Sequence, residues 1–160
     1  ADDDLTPPEI LLNELRDRSL TLATAESCTG GNIAHELTLI AGSSDVFAGG
    51  VVSYSNDVKM KLLSVSADTL AAHGAVSEEV VAEMARGARE ATGADVAVAT
   101  SGIAGPSGAV PGKPVGTVCM GVATPRGVVT ATGHFPGNRA RVIDRATMEA
   151  IIMAIKEVRR

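Results

Sequence analysis

Short apolar runs of strand character alternate along this chain with longer amphipathic stretches of helical character, and an alternation of that kind admits few folds. Residues 20–25, 46–54 and 95–101 are the apolar runs, carrying Val, Ala and Thr. Around them the pattern predicts helices over 9–15 behind Pro7 and Pro8, then 32–40, 56–63, 67–72 and 78–91, the last opened by Ser77 and closed by Gly93. Residues 115–124 and 128–135 flank Pro125-Arg126-Gly127 as a hairpin, and a closing helix spans 139–158. Gly49 and Gly50 point to a bulge in the second strand. Strands interleaved with helices, ending in one antiparallel hairpin, predict a three-layer α/β/α sandwich around a mixed β-sheet.

At 160 residues the chain fits one domain, 1–160, with no repeat and no interdomain linker. Its net charge of -5 is the opposite of a phosphate-backbone reader's footprint, and one Tyr, two Phe and no Trp leave no stacking platform, so nucleic acid is excluded as a general partner. The two cysteines, Cys28 and Cys119, have neither a CxxC spacing nor a Cys/His cluster, which fits a reducing cytoplasm. No apolar run approaches the ~20 residues that span a bilayer. The acidic start Ala1-Asp2-Asp3-Asp4 is unlike a secretory signal, so the expectation is a cytoplasmic protein with no membrane partner.

Ligands of α/β sheets sit beyond strand ends, and the two most glycine-rich loops, after Ala25 and after Ser101, both follow predicted strands. They are expected to meet at one pocket. Ser27 lies where a strand turns into a helix, a position that exposes a hydroxyl beside free backbone N–H groups, as an acyl-transfer nucleophile requires. The same spacing equally suits Ser27 or Thr29 as N-cap of the next helix. The Gly-x-Ser-x-Gly elbow is absent, because Ala25 and Thr29 stand where its glycines belong.

A serine nucleophile needs a base, and His35, His73 and His134 lack an acidic residue patterned to orient them. Lysine is the other partner, provided burial lowers its pKa. Lys59 follows the second strand directly, so pairing of the first two strands would bring it to Ser27; otherwise it is a solvated helix lysine like Lys61. Cys28 reads as a small buried filler. No metal is expected, since neither histidine spacing nor an acidic cluster forms a ligand set. Gly112-Lys113-Pro114 resembles the end of a phosphate loop, yet Pro114 replaces the magnesium-binding hydroxyl. Arg139, Arg141 and Arg145 oppose the dipole of the last helix at about 0.3–1 kcal/mol each unless an anion lies there, which makes them phosphate candidates.

The segments Thr24-Ala25-Glu26-Ser27-Cys28-Thr29-Gly30-Gly31, Ala41-Gly42-Ser43-Ser44, Val52-Ser53-Tyr54-Ser55-Asn56, His73-Gly74-Ala75-Val76-Ser77 and Ser101-Gly102-Ile103-Ala104-Gly105-Pro106 together closely resemble the CinA C-terminal domain family. That family is also described as nicotinamide-nucleotide amidohydrolase, or NMN deamidase. The resemblance runs through Lys113-Pro114-Val115-Gly116-Thr117 to the last helix, and residues 108–112 are its least family-like part. It implies hydrolysis of the carboxamide of nicotinamide mononucleotide to nicotinic acid mononucleotide and ammonia, a pyridine-nucleotide salvage reaction without metal or redox cofactor. By motif position Ser27 is the implied nucleophile, Lys59 its partner in a serine–lysine dyad, and Tyr54 a supporting residue. It also implies a homo-oligomer. Many relatives carry this module behind a larger N-terminal domain, so a stand-alone form or an excised domain is expected; competence or DNA-damage roles do not follow from these residues.

Joined to the chemistry above, the resemblance makes the turn from Cys28 through Thr29, Gly30 and Gly31, together with Gly102, the expected substrate cradle. Gly42, Ser43 and Ser44, with Arg139, Arg141 and Arg145, are the expected phosphate contacts. The competing reading is a non-catalytic nucleotide-binding module, which would bind the same ligand without turning it over.

Overall fold

The computed structural model describes residues 4–160; the first three residues of the acidic start lie outside them. Thr6 and Glu9 form a reciprocal capping box that opens α1 (Pro7–Asp17), with proline in the first turn where its missing N–H costs nothing. Leu11, Leu12 and Leu15 form its buried face. After β1 (Leu22–Glu26) come α2 (Asn32–Thr38), a single 3-10 turn at Ser43–Asp45, β2 (Phe47–Val52), α3 (Asn56–Leu63), α4 (Ala67–His73) and α5 (Glu78–Thr92). β3 (Val96–Gly102), the hairpin β4 (Thr117–Thr124) and β5 (Gly127–His134), and α6 (Arg139–Val158) complete the chain.

The strands form one sheet in the order β2-β1-β3-β4-β5. β1 pairs in parallel with both β2 and β3, while β4 runs antiparallel to β3 and to β5, so the sheet is mixed as expected. The register of β1 against β2 slips between Leu22 and Ala23, leaving Ala48 as the extra residue beside Gly49; this is the bulge the glycine pair signalled. Gly50 is obligatory, because a Cβ there would collide with Thr24 Oγ1.

Period-two alternation divides the sheet between two helical layers. Leu22, Val96, Val98 and Val122 face α1, α2 and α6; Ala23, Ala25, Ala97 and Ala99 face α5, whose Val80, Val81, Met84, Ala85 and Ala88 pack down on them. The small side chains on this second face let α5 approach closely, to the point that a Cβ at Gly121 would stand 3.0 Å from the Val81 carbonyl oxygen. α5 in turn seats α3, since a Cβ at Gly87 would collide with the Leu63 backbone.

Element edges differ from the sequence expectation where hydrogen bonding overrides pattern. β2 stops at Val52 rather than Tyr54, because Ser53–Ser55 turns to make Ser55 the N-cap of α3. β4 begins at Thr117 rather than residue 115, because Gly116 adopts φ +93° and its N–H donates to the Ile103 carbonyl.

Candidate active site

β1, β2 and β3 are parallel, so the segments that leave their C-terminal ends emerge at one end of the sheet. Those segments are the turn at Ser27–Gly31, the approach to α3, and the loop from Gly102 onward. They enclose a cavity of about 290 Å³ that Ser27, Cys28, Tyr54, Lys59, Gly102, Gly105 and Arg139 help to line. The two glycine-rich loops therefore do meet at one pocket.

Glu26 settles whether Ser27 or Thr29 caps α2. Its wholly buried carboxylate accepts the N–H groups of Ile33 at 2.9 Å and Ala34 at 3.1 Å, and the Thr29 hydroxyl at 2.6 Å. The N-cap itself is Gly31, at φ 99° and without a side chain. Capping by Glu26 leaves the Ser27 hydroxyl free for another partner. Ser27 N–H donates to the Thr100 carbonyl at 3.1 Å, which ties the turn to β3. Among the described residues the N–H groups of Cys28 and Thr29 have no backbone carbonyl partner.

Lys59 occupies the inner face of α3, one turn before Leu63, and is 1% exposed. Nζ donates to the Ser53 carbonyl at 2.8 Å and the Tyr54 carbonyl at 3.4 Å, and lies 3.1 Å from Ser27 Oγ. An ammonium would spend its three protons on these three oxygens. A neutral amine would keep its two on the carbonyls and turn its lone pair to the Ser27 hydroxyl proton. Burial pushes the Lys59 pKa below the usual lysine value of 10.5. Burial also pushes the Cys28 thiol up to about 12, so it stays protonated and is no rival nucleophile near neutral pH.

Arg139, the first residue of α6, spans the cavity mouth. Nη1 donates to the Gly105 carbonyl and Nη2 to Tyr54 Oη, each at 2.8 Å. Tyr54 is otherwise open to solvent at 58% exposure.

The structure does not bring every expected residue here. Gly42, Ser43 and Ser44 precede β2, so they lie at the opposite end of the parallel strands, where Val46 pairs with Leu22 and Arg16 donates to the Gly42 carbonyl at 3.0 Å. Arg141 and Arg145 follow Arg139 by about 200° and 240° around a helix of 100° per residue, and neither lines the cavity. Arg141 packs its stem on Gly137, and Arg145 lines a separate groove with Phe135 and Met148. The histidines are elsewhere: His35 is exposed on α2, His73 faces Glu79 at 3.5 Å, and His134 faces Thr117 at 3.4 Å. Lys113, of the phosphate-loop-like segment, donates to the His73 carbonyl at 2.7 Å. Among the described residues no group of three His, Cys, Asp or Glu side chains is placed to hold a metal ion, and no helix is long and apolar enough to cross a membrane.

Sequence reasoning missed Glu26 and Ser53. The available signal for Glu26 was a charged residue ending an otherwise apolar strand beside a turn rich in donors.

Comparison with known proteins gives a consistent result. A family model described as the CinA C-terminal domain matches residues 5–158. A CinA-like protein of Mycolicibacterium gilvum is 58% identical over 132 residues, covering 82% of this chain and 31% of that protein. One from Chlorobaculum tepidum is 46% identical over 167 residues, covering 99% of this chain and 39% of that protein. The chain thus matches only 31% and 39% of the length of these two relatives. Among solved structures, a CinA superfamily protein of Klebsiella pneumoniae superposes with TM-score 0.92 at 38% identity, covering 95% of each chain. The competence/damage inducible protein CihA of Agrobacterium tumefaciens gives 0.90 at 36%, covering 96% of each. With the sheet order, the glycine-rich turn after β1 and these matches agreeing, the chain belongs to the CinA C-terminal domain family.

Proposed function

We propose that this chain hydrolyses the carboxamide of nicotinamide mononucleotide to nicotinic acid mononucleotide and ammonia, with Ser27 as nucleophile and Lys59 as its base. The observation that carries this reading is a lysine amine buried to 1% exposure and 3.1 Å from a serine hydroxyl. A buried amine is costly in its charged form, and its pKa moves toward the range where it can accept a proton. Ser27 Oγ attacks the amide carbon as its proton passes to Lys59, and the N–H groups of Cys28 and Thr29 stabilise the oxyanion. Lys59 returns the proton to the departing ammonia, leaving an acyl-enzyme. Water, deprotonated by the same lysine, then attacks the acyl carbon; the C–Oγ bond breaks, Lys59 returns the proton to Ser27 Oγ, and the acid leaves and ionises to the carboxylate.

Gly102 lines the cavity at the end of β3, whereas Gly30 and Gly31 do not line it, and Arg139 with Tyr54 contacts the nucleotide from the cavity mouth. The same reading takes the protein as a cytoplasmic homo-oligomer in pyridine-nucleotide salvage. The test is ammonia release from nicotinamide mononucleotide by wild type and Ser27→Ala. Release lost only in the variant supports the reading, and equal release in both refutes the nucleophile. Saturable mononucleotide binding with no ammonia from wild type would favour the binding module.

A further inference from the structure

Glu26 does not line the cavity, yet it adjoins Ser27 in the chain and is linked to Lys59 through Ser53. Its carboxylate receives three donors: the Thr29 hydroxyl and the N–H groups of Ile33 and Ala34. The Thr29 hydroxyl donates its one proton to Glu26 Oε1, so toward Thr100 it accepts, receiving the proton of Thr100 Oγ1 at 2.8 Å. The hydrogen-bond directions across the underside of the turn are thereby set. On its main-chain side, the Glu26 carbonyl accepts the Ser53 N–H at 2.7 Å and the Ser53 hydroxyl at 3.3 Å, and the Ser53 carbonyl accepts Lys59 Nζ at 2.8 Å.

We propose that Glu26 is a positioning residue: its buried carboxylate fixes the Ser27–Gly31 turn so that Ser27 Oγ and the N–H groups of Cys28 and Thr29 meet one carbonyl group of the substrate. This role rests on the Ser27–Lys59 reading. Glutamine cannot replace the carboxylate, because its NH2 would face one of the three donors and leave two donors opposed in a dry site. The turn would then shift, and a misplacement of about 1 Å costs on the order of 10²-fold in rate.

The test uses a fluorophosphonate, which reads the serine without requiring the carboxamide substrate. Ser27 Oγ forms a bond to phosphorus, the P–F bond breaks, fluoride leaves, and the hydroxyl proton passes to Lys59. Labelling at Ser27, absent in Ser27→Ala, is timed by mass spectrometry for wild type, Glu26→Gln and Thr29→Val, with cooperative thermal unfolding and nicotinamide mononucleotide affinity measured in parallel. The expected result is labelling slowed about 10²-fold in Glu26→Gln and slowed measurably in Thr29→Val, at unchanged mononucleotide affinity. Wild-type labelling rates in either folded variant would overturn the role, as would affinity falling in step with labelling, which marks general loosening. If Glu26→Gln does not fold, Thr29→Val decides alone. A wild-type protein that resists labelling removes the Ser27–Lys59 reading itself, and this role with it.

Discussion

Arg139 Nη2 donates to Tyr54 Oη at 2.8 Å, joining the start of α6 to the segment after β2 across the mouth of the cavity. The second arm of the guanidinium holds the Gly105 carbonyl. Arg139→Ala removes both links and the charge, whereas Tyr54→Phe removes one. Hydrogen bonds to charged groups contribute about 1.5–3 kcal/mol, so KM for the mononucleotide is expected to rise about tenfold or more in Arg139→Ala and less in Tyr54→Phe. Equal effects would mean the tyrosine hydroxyl, not the guanidinium, is the important group.

Lys59→Met keeps a long unbranched side chain in place and removes the amine. General-base catalysis contributes about 10²–10⁴-fold, so kcat for ammonia release is expected to fall by that range. A variant that folds and retains kcat would show that Ser27 is activated by some other group.

Burial lowers the Lys59 pKa below 10.5 in the folded protein, whereas the unfolded chain returns it to the ordinary value. Between those two values the unfolded state binds more protons, so this residue makes stability rise with pH across that window. Activity should climb through the folded value, at the lower edge of that window, as the amine deprotonates. Unfolding and rate profiles of wild type against Lys59→Met test both, and the lysine's contribution should vanish from the variant's stability profile.

With its thiol pushed up to about 12 and only 6% exposed, Cys28 should resist iodoacetamide near neutral pH although it adjoins Ser27. Ammonia release should survive the treatment, and peptide mapping should find Cys28 unmodified. Inactivation that tracks its alkylation would reassign the nucleophile.

Gly87→Ala places a methyl against the Leu63 backbone and forces α3 away from α5. Overpacking of this kind costs about 1–3 kcal/mol, so Tm should fall. Because α3 carries Lys59, kcat should fall too. Gly93→Ala meets no atom within 4 Å but sits at φ +75°, so it should lower Tm through backbone strain alone and spare kcat.

The layered fold was legible because period-two and helical apolar patterns follow directly from burial, and each survived into the structure. Ser27 and Lys59 were legible as a pair through the family resemblance of the segments around them and through topology, because adjacent parallel strands carry the residues that follow them to one end. That same rule, applied to Gly42-Ser43-Ser44, would have excluded it, since a turn that precedes a strand lies at the other end. Arg141 and Arg145 were grouped with Arg139 by closeness in sequence, although helical rotation separates them. Glu26 was hidden because helix caps are sought at the N-cap position, and here the capping group reaches forward from the preceding strand. Ser53 contributes its main-chain carbonyl to Lys59, a use that no side-chain pattern announces.

The sheet face beneath α5 is floored by Ala23, Ala25, Ala97 and Ala99, and α5 seats α3 through Gly87. The gap between amine and hydroxyl is thereby gauged by methyl groups outside the cavity. One alanine enlarged to valine would act as a shim, altering reactivity while leaving every polar group of the pocket in the chain.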